Sequence, residues 1–451
     1  MLNSAKSLRE ESQNCENLVQ DTNRSQDGFF SIIANLPKGV YAISLFGLFL
    51  GMSTTMVYSQ LSLFLKNDVG LTVSQIANLD GIVESVAFIT RIFSGPISDF
   101  FRERKLILLI GCFVTLGARS LLPFISGFRG AFTAQFCERI GNGLQATPRD
   151  ALIADLTPRH LRCRTFGFTR SVKTFGGLCG GILAVILMGY YANNFRSVFQ
   201  WAIVPVALAA VCLFLVPSSA EHHDVEELKR ENPFKRKYLR SLDISFWKLI
   251  ALTFIFQLGH FTEHMFPIYM EDFASVRVAG TMGTAVNLGQ ICLAFTIGIL
   301  ADKYGKGKFI RGCMALMVIS NLLFISAKYL VSFDLPFFRI FGDDFVVSSN
   351  AACVYLGAFL WGGQLSAIEG LFLSIISDQV TFRLRATAIG IYSLLMGFGY
   401  WIASNIGGRI WEKYSNMATF GYSLFFCCLA FVLSFFLLPK KYNSFNKAKA
   451  D

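Results

Sequence analysis

From about residue 40 onward the chain alternates long apolar runs with short polar breaks. A membrane-spanning helix needs about 20 predominantly apolar residues. On that measure the pattern predicts twelve spans. Spans 1–6 cover 40–64, 74–96, 106–125, 130–152, 166–190 and 198–216. Spans 7–12 cover 246–269, 278–300, 309–331, 351–374, 386–408 and 417–438. The expected fold is an all-α membrane protein, with its twelve transmembrane helices in two pseudo-symmetric six-helix bundles at 39–216 and 246–438. Polar tails at 1–38 and 439–451 and a charged linker at 217–245, with its Lys235-Arg236-Lys237 run, complete the expected organisation. The first 35 residues lack the charged start and apolar stretch of a cleavable signal, so the first apolar run is expected to stay as a helix.

Composition agrees with the pattern. Hydrophobic residues make up 53% of the 451 positions and charged residues only 16%, against about 25% in soluble domains. The formal charge of +11 would suit nucleic acid if it formed one patch, but the basic residues sit in alternate loops, so no nucleic-acid partner is expected. Most of the 41 lysines and arginines fall in the tails, the linker and the loops of one side. By the positive-inside rule that side is cytoplasmic, which places both termini in the cytoplasm of a bacterial inner-membrane protein. The eleven cysteines are scattered singly or as Cys427–Cys428 and match no metal or disulfide spacing.

Two loop motifs recur in order. Gly95-x-x-x-Asp99 with Arg102 and Arg104 follows span 2, and Gly298-x-x-x-Asp302 with its own basic turn follows span 8. Asp155 and Arg162 after span 4 match Asp378 and Arg385 after span 10 at the same offset. Repetition at matching loops points to a duplicated six-helix unit. The repeated loop resembles the signature of the major facilitator superfamily. Four stretches are also similar to a subgroup of bacterial permeases: Met56 to Ser59 with Leu63 to Leu65, Gly81 to Ser85, Pro148 to Asp155, and Phe254 to Glu263. Asn142 and Gln145 stand where that subgroup usually has Lys and Arg. The resemblance implies a latch of the loop motifs that closes the two halves on the cytoplasmic side, and a central cavity lined by spans 1, 4, 7 and 10.

Ionisable residues inside spans are costly and often functional. The candidates for substrate or proton binding are Glu84, Arg91, Glu138, Arg139, Asn142, Gln257, His260, Glu263, His264, Gln364 and Glu369. Glu84 and Arg91 are seven residues apart, two turns along span 2, and are not expected to pair directly. Gln257, His260, Glu263 and His264 are expected to share one broad stripe of span 7. The string His260-Phe-Thr-Glu263-His264 also reads as an inverted zinc-protease motif. A third ligand is not visible, and no metal site is assigned. The run Gly167, Gly176, Gly180, Gly181 in span 5 partly resembles a motif of superfamily antiporters, and its physical role would be close helix packing. No phosphate-cradling Gly-x4-Gly-Lys-Ser/Thr is present.

The function expected is secondary active transport of a small polar or charged organic solute across the inner membrane by alternating access. Coupling is expected to be to protons, with no cofactor, no catalysis, lipid around the spans, and a monomer as the working unit. The alternatives are a drug or siderophore exporter working as a proton antiporter and, more remotely, a membrane-embedded metalloenzyme or a non-transporting receptor.

Overall fold

The computed structural model describes residues 38–101, 104–157, 162–216, 243–331, 334–335, 347–380 and 385–438. Spans 1–6 are α1 (Lys38–Asn67), α2 (Val73–Phe101), α3 (Arg104–Leu121), α4 (Phe128–Leu156), α5 (Arg162–Tyr190) and α6 (Phe195–Phe214). Span 7 is split into α7 (Ile244–Gln257) and α8 (Met265–Met270), and the short α9 (Val276–Ala279) follows. Spans 8–12 are α10 (Met282–Tyr304), α11 (Lys306–Ala327), α12 (Ser349–Gln379), α13 (Arg385–Lys413) and α14 (Asn416–Leu437). A two-residue antiparallel pairing, Asp334–Leu335 with Val347–Ser348, lies before α12. The tail 1–37, the linker 217–242 and the tail 439–451 lie outside the described residues, as does Arg102.

Among the described residues eight helices are long and apolar enough to cross a membrane: α1, α3, α5, α6 and α11 to α14. The shorter α7 is also apolar. The other three, α2, α4 and α10, are of comparable length at 29, 29 and 23 residues. The first two carry more charge: Asp80, Glu84 and Arg91 on α2, and Glu138 and Arg139 on α4. Polar starts follow capping rules. Asn194, Ser348 and Ser415 accept hydrogen bonds from first-turn amides of α6, α12 and α14. Gly305, with φ of 104°, turns the chain between α10 and α11 in a conformation that favours glycine.

The two halves repeat one packing scheme. In the first, α1 packs on α5 and α6, α4 on α2 and α3, and α3 on α6. In the second, α12 packs on α10 and α11, α11 on α14, and α7 on α13 and α14. The halves meet where α2 packs on α13 and α5 on α10. The closest approaches within a half rest on small residues. A Cβ on Gly176 would come within 2.1 Å of the Leu48 carbonyl oxygen, and one on Gly180 within 2.0 Å of that of Met52, so α5 lies backbone to backbone against α1. Gly289 and Gly362 do the same between α10 and α12.

We call the end of the bundle that carries Lys38, Ile244 and Leu437 the linker end and the other the distal end. At the distal end the halves are tied by polar contacts. Lys66 Nζ is 2.5 Å from Glu271 Oε2, and Asn67 donates to the same carboxylate at 2.8 Å. Arg277 donates to Asn193, and Trp401 and Asn405 both donate to the Asn78 side-chain oxygen at 3.1 and 2.7 Å.

Candidate functional site

The break in span 7 is the first local departure from the expected pattern. A continuous helix was predicted over 246–269, with His260 and His264 one turn apart on one face. Instead α7 ends at Gln257 and helix resumes only at Met265. Tertiary partners stabilise the irregular turn. Ser423 donates to the Gly259 carbonyl at 2.6 Å, and the Thr262 hydroxyl accepts from the His264 amide at 3.1 Å. Backbone groups freed from a helix inside a membrane need such partners. The two imidazoles consequently point to different neighbours. His260 is buried, with Nδ1 3.2 Å from the Phe256 carbonyl and Nε2 2.8 Å from the Gln364 amide nitrogen. Those contacts fit a ring that donates through Nδ1 and accepts at Nε2. His264 turns instead toward α2, so the His-x-x-Glu-His string does not assemble a ligand set.

A cavity of about 400 Å³ lies between the halves. Its wall includes Tyr58 of α1, Asp80, Glu84 and Phe88 of α2, and Arg139 of α4. From the second half come Gln257, His260, Glu263 and His264, with Asn287 and Gln290 of α10, Glu369 and Phe372 of α12, and Tyr392 and Tyr400 of α13. The centre of its charge network is Asp80, which is 3% exposed. One oxygen, Oδ2, accepts from Thr262 at 2.7 Å and from Tyr400 at 3.0 Å. The other, Oδ1, has no hydrogen bond, but lies 3.4 Å from His264 Nε2 and 3.6 Å from Arg139. Arg139 also pairs with Glu84 Oε2 at 2.7 Å. The Tyr58 ring carries the Arg139 guanidinium 4.8 Å from its centroid and stacks on His264 at 5.4 Å. Asp80 thus binds groups from both halves at once.

Of the residues singled out in the sequence, Glu84, Arg139, Gln257, His260, Glu263, His264 and Glu369 line this cavity. Gln364 stands behind His260 as its partner. Glu138 is turned elsewhere: it pairs with Arg119 at 2.8 Å, both fully buried within the first half. Arg119 also donates to Ser53 and, at 2.9 Å, to Thr54. Arg91 is exposed, with its guanidinium 5.6 Å from the Phe88 ring centroid. Asn142 is half-buried on α4, and Gln145 donates to Thr115 at 2.8 Å. Sequence reasoning missed Asp80, Tyr58, Thr262 and Tyr400. Asp80 had a signal, since Asp80 and Glu84 at i, i+4 share one face of α2. In the loop motifs, Arg104 donates to the Ala151 carbonyl of α4 at 3.3 Å. Gly95 and Asp99 lie in the last turns of α2, Asp155 in that of α4, Gly298 and Asp302 in α10, and Asp378 in α12, while Arg162 and Arg385 begin α5 and α13. The side chains at these eight positions lie outside the described residues.

Two six-helix units packed by one scheme around a polar cavity define a polytopic membrane transporter. Sequence comparison gives the family. The model of the Major Facilitator Superfamily matches residues 43–273 and 264–451, and the chain belongs to that superfamily. It is 24% identical to an uncharacterized MFS-type transporter of Methanocaldococcus jannaschii, over 89% of this chain and 95% of the relative. It is 22% identical to an uncharacterized MFS-type transporter of Bacillus subtilis, over 89% and 98%. Among solved structures it resembles a D-xylose–proton symporter, with a TM-score of 0.68, 17% identity, and 90% and 98% of the two chains covered. It also resembles a peptide transporter, with a TM-score of 0.68, 15% identity, and 92% and 98% covered. At these identities the structural likeness speaks for the fold. The protein is a transporter and not an enzyme.

Proposed function

We propose that the chain moves a small polar or charged organic solute across a bacterial inner membrane by alternating access, coupled to protons. The observation that carries this reading is the cavity itself. Its wall takes charged and hydrogen-bonding groups from both halves, and Asp80 joins those halves through groups that must part if the distal end opens. Alternating access requires such a site between two bodies that rock against each other. The bias of basic residues supports cytoplasmic termini, so the linker end is cytoplasmic and the distal seal faces outward. The conformation is then the inward-facing one. Bundle limits at 39–216 and 246–438 go with this reading, and so does a monomer as the working unit. The polar cargoes of the structural neighbours, a sugar and peptides, and the proton symport of one of them, support the solute class and the coupling ion.

The loop motifs serve in this reading as the cytoplasmic latch. Arg104 ties the start of α3 to α4 within the first half, and Asp99 of the same motif lies in the last turn of α2. Reconstitution into liposomes tests the proposal. Uptake or efflux of a solute from a polar panel, driven by an imposed pH gradient and collapsed by a protonophore, is the expected result. Flux that ignores the pH gradient would remove the proton from the account. No flux of any panel member in either direction would remove the transport of small polar solutes.

A further inference from the structure

The charges on the cavity wall do not balance, and the imbalance selects a class of solute. Four carboxylates line the wall, those of Asp80, Glu84, Glu263 and Glu369, against one arginine, Arg139. That arginine is fully engaged. It pairs with Glu84 at 2.7 Å, stands 3.6 Å from Asp80 and lies over the Tyr58 ring. His264 stands beside Asp80, and His260 is held by Phe256 and Gln364. Among the described residues, the side chains of Glu263 and Glu369 take part in no hydrogen bond or ion pair. Asp80 Oδ1 is buried on the cavity wall without a hydrogen bond, but is ion-paired at 3.4 Å to His264 and 3.6 Å to Arg139. Asp80 already has Thr262, Tyr400, His264 and Arg139 around it, whereas the Glu263 side chain faces the cavity with no donor, and a carboxylate taken out of water without a donor carries an uncompensated desolvation cost.

We propose that the cavity binds an organic cation, an amine or quaternary ammonium, whose charge sits at Glu263 and Asp80 and whose apolar body lies against the aromatic wall. This rests on the reading of the cavity as the transport site. An anion would meet four carboxylates and no uncommitted cation. A bare metal ion is also a poor match, because among the described residues no three His, Cys, Asp or Glu side chains converge to hold one. The wall suits an organic body. Phe88, Phe256, Phe372 and Tyr392 offer ring faces, which attract cations and apolar groups alike. Nearer the linker end, Arg91, Arg149 and Arg170 lie within electrostatic reach of Lys173, outside the lining.

Four compounds with one ring and different charge test the assignment: phenethylamine, benzyltrimethylammonium, phenylacetate and 2-phenylethanol. Binding is read as the shift in melting temperature of the full chain in detergent, with no gradient present. The two cations are expected to raise it in a saturable way, and the anion and the alcohol are not. Glu263→Gln keeps the shape and removes the charge, and is expected to weaken phenethylamine by about tenfold or more. Stabilisation by phenylacetate equal to that by phenethylamine overturns the assignment, as does no response to either cation. If Glu263→Gln fails to fold, the wild-type series alone decides. The two readings fail separately. Cation binding without flux in liposomes removes transport and leaves the site. Flux of anionic or neutral solutes with no cation binding leaves transport and removes the cation site.

Discussion

Glu138 and Glu263 are both glutamates within membrane spans, yet their surroundings give them opposite tasks. Glu138 and Arg119 form an ion pair sealed inside the first half, with Ser53 and Thr54 on the same guanidinium. Removing one partner strands a buried charge, which costs about 3–5 kcal/mol. Glu138→Gln is therefore expected to lower the melting temperature in detergent by several degrees, and molecules that still fold should bind solute as before. Glu263 lacks such a partner among the described residues and faces the cavity, so Glu263→Gln should melt near the wild type and lose transport. A melting temperature unchanged by Glu138→Gln would show that the pair contributes nothing to stability. Sequence alone could place both acids within spans but could not separate them. Which face of α4 turns to α3 and which to the cavity depends on neighbours, and Arg139, the very next residue, faces the cavity. Asp80 escaped notice for a related reason. Only the arrival of Thr262 and Tyr400 from the other half makes it a junction rather than one more polar residue near a helix end.

At the scale of elements, apolar length made eight of the spans legible, and α2, α4 and α10 followed from their length and their place in the repeat, because bilayer thickness leaves little freedom in helix length. Span 7 was legible as apolar but not as broken. Its sequence keeps a helical spacing of polar groups, and the break depends on Ser423 bonding Gly259 and on Asp80 drawing Thr262 away. Both partners are more than 160 residues away in the chain. Thr262→Val retains the branched shape and removes the hydroxyl. It is expected to lose the bond to Asp80 and the support of the His264 amide, and to expose the distal ends of α2 and α7 to water-borne thiol reagents at introduced cysteines. Unchanged labelling would mean that Tyr400 and His264 hold Asp80 without it. The glycine run of α5 was legible in its physical role. Leucine at position 180 would drive its Cβ into the Met52 carbonyl, so Gly180→Leu should abolish folded, monodisperse protein, whereas Gly180→Ser should lose less. Wild-type yield and elution for Gly180→Leu would contradict the close approach of α1 and α5.

For the whole molecule, most described polar ties between halves lie at Asp80 and beyond it toward the distal end, with the Ser85 hydroxyl on the Gly397 carbonyl one turn nearer the linker end. A covalent tie there should hold one conformation. Asn78 and Asn405 touch across α2 and α13. Cysteines at both positions are expected to form a disulfide that stops transport, with recovery on reduction. Full transport with the bond in place would mean that this seam does not open in the cycle. The duplicated loops and the basic bias let the sequence give the architecture and, in the proposed topology, the sidedness. They could not give the state, because closure at one end depends on pairs such as Lys66 with Glu271 that no repeat announces. The composition of that seal has a further consequence. Solvent-accessible ion pairs are each worth about 0–1 kcal/mol, and single hydrogen bonds contribute about 1 kcal/mol net. In the proposed cycle, end states within a few kcal/mol of each other keep the minor conformer at roughly 0.1–10% of the population. In that reading the unloaded protein samples both orientations in thermal equilibrium. A bound solute then needs only a modest preference between them to set the direction of exchange.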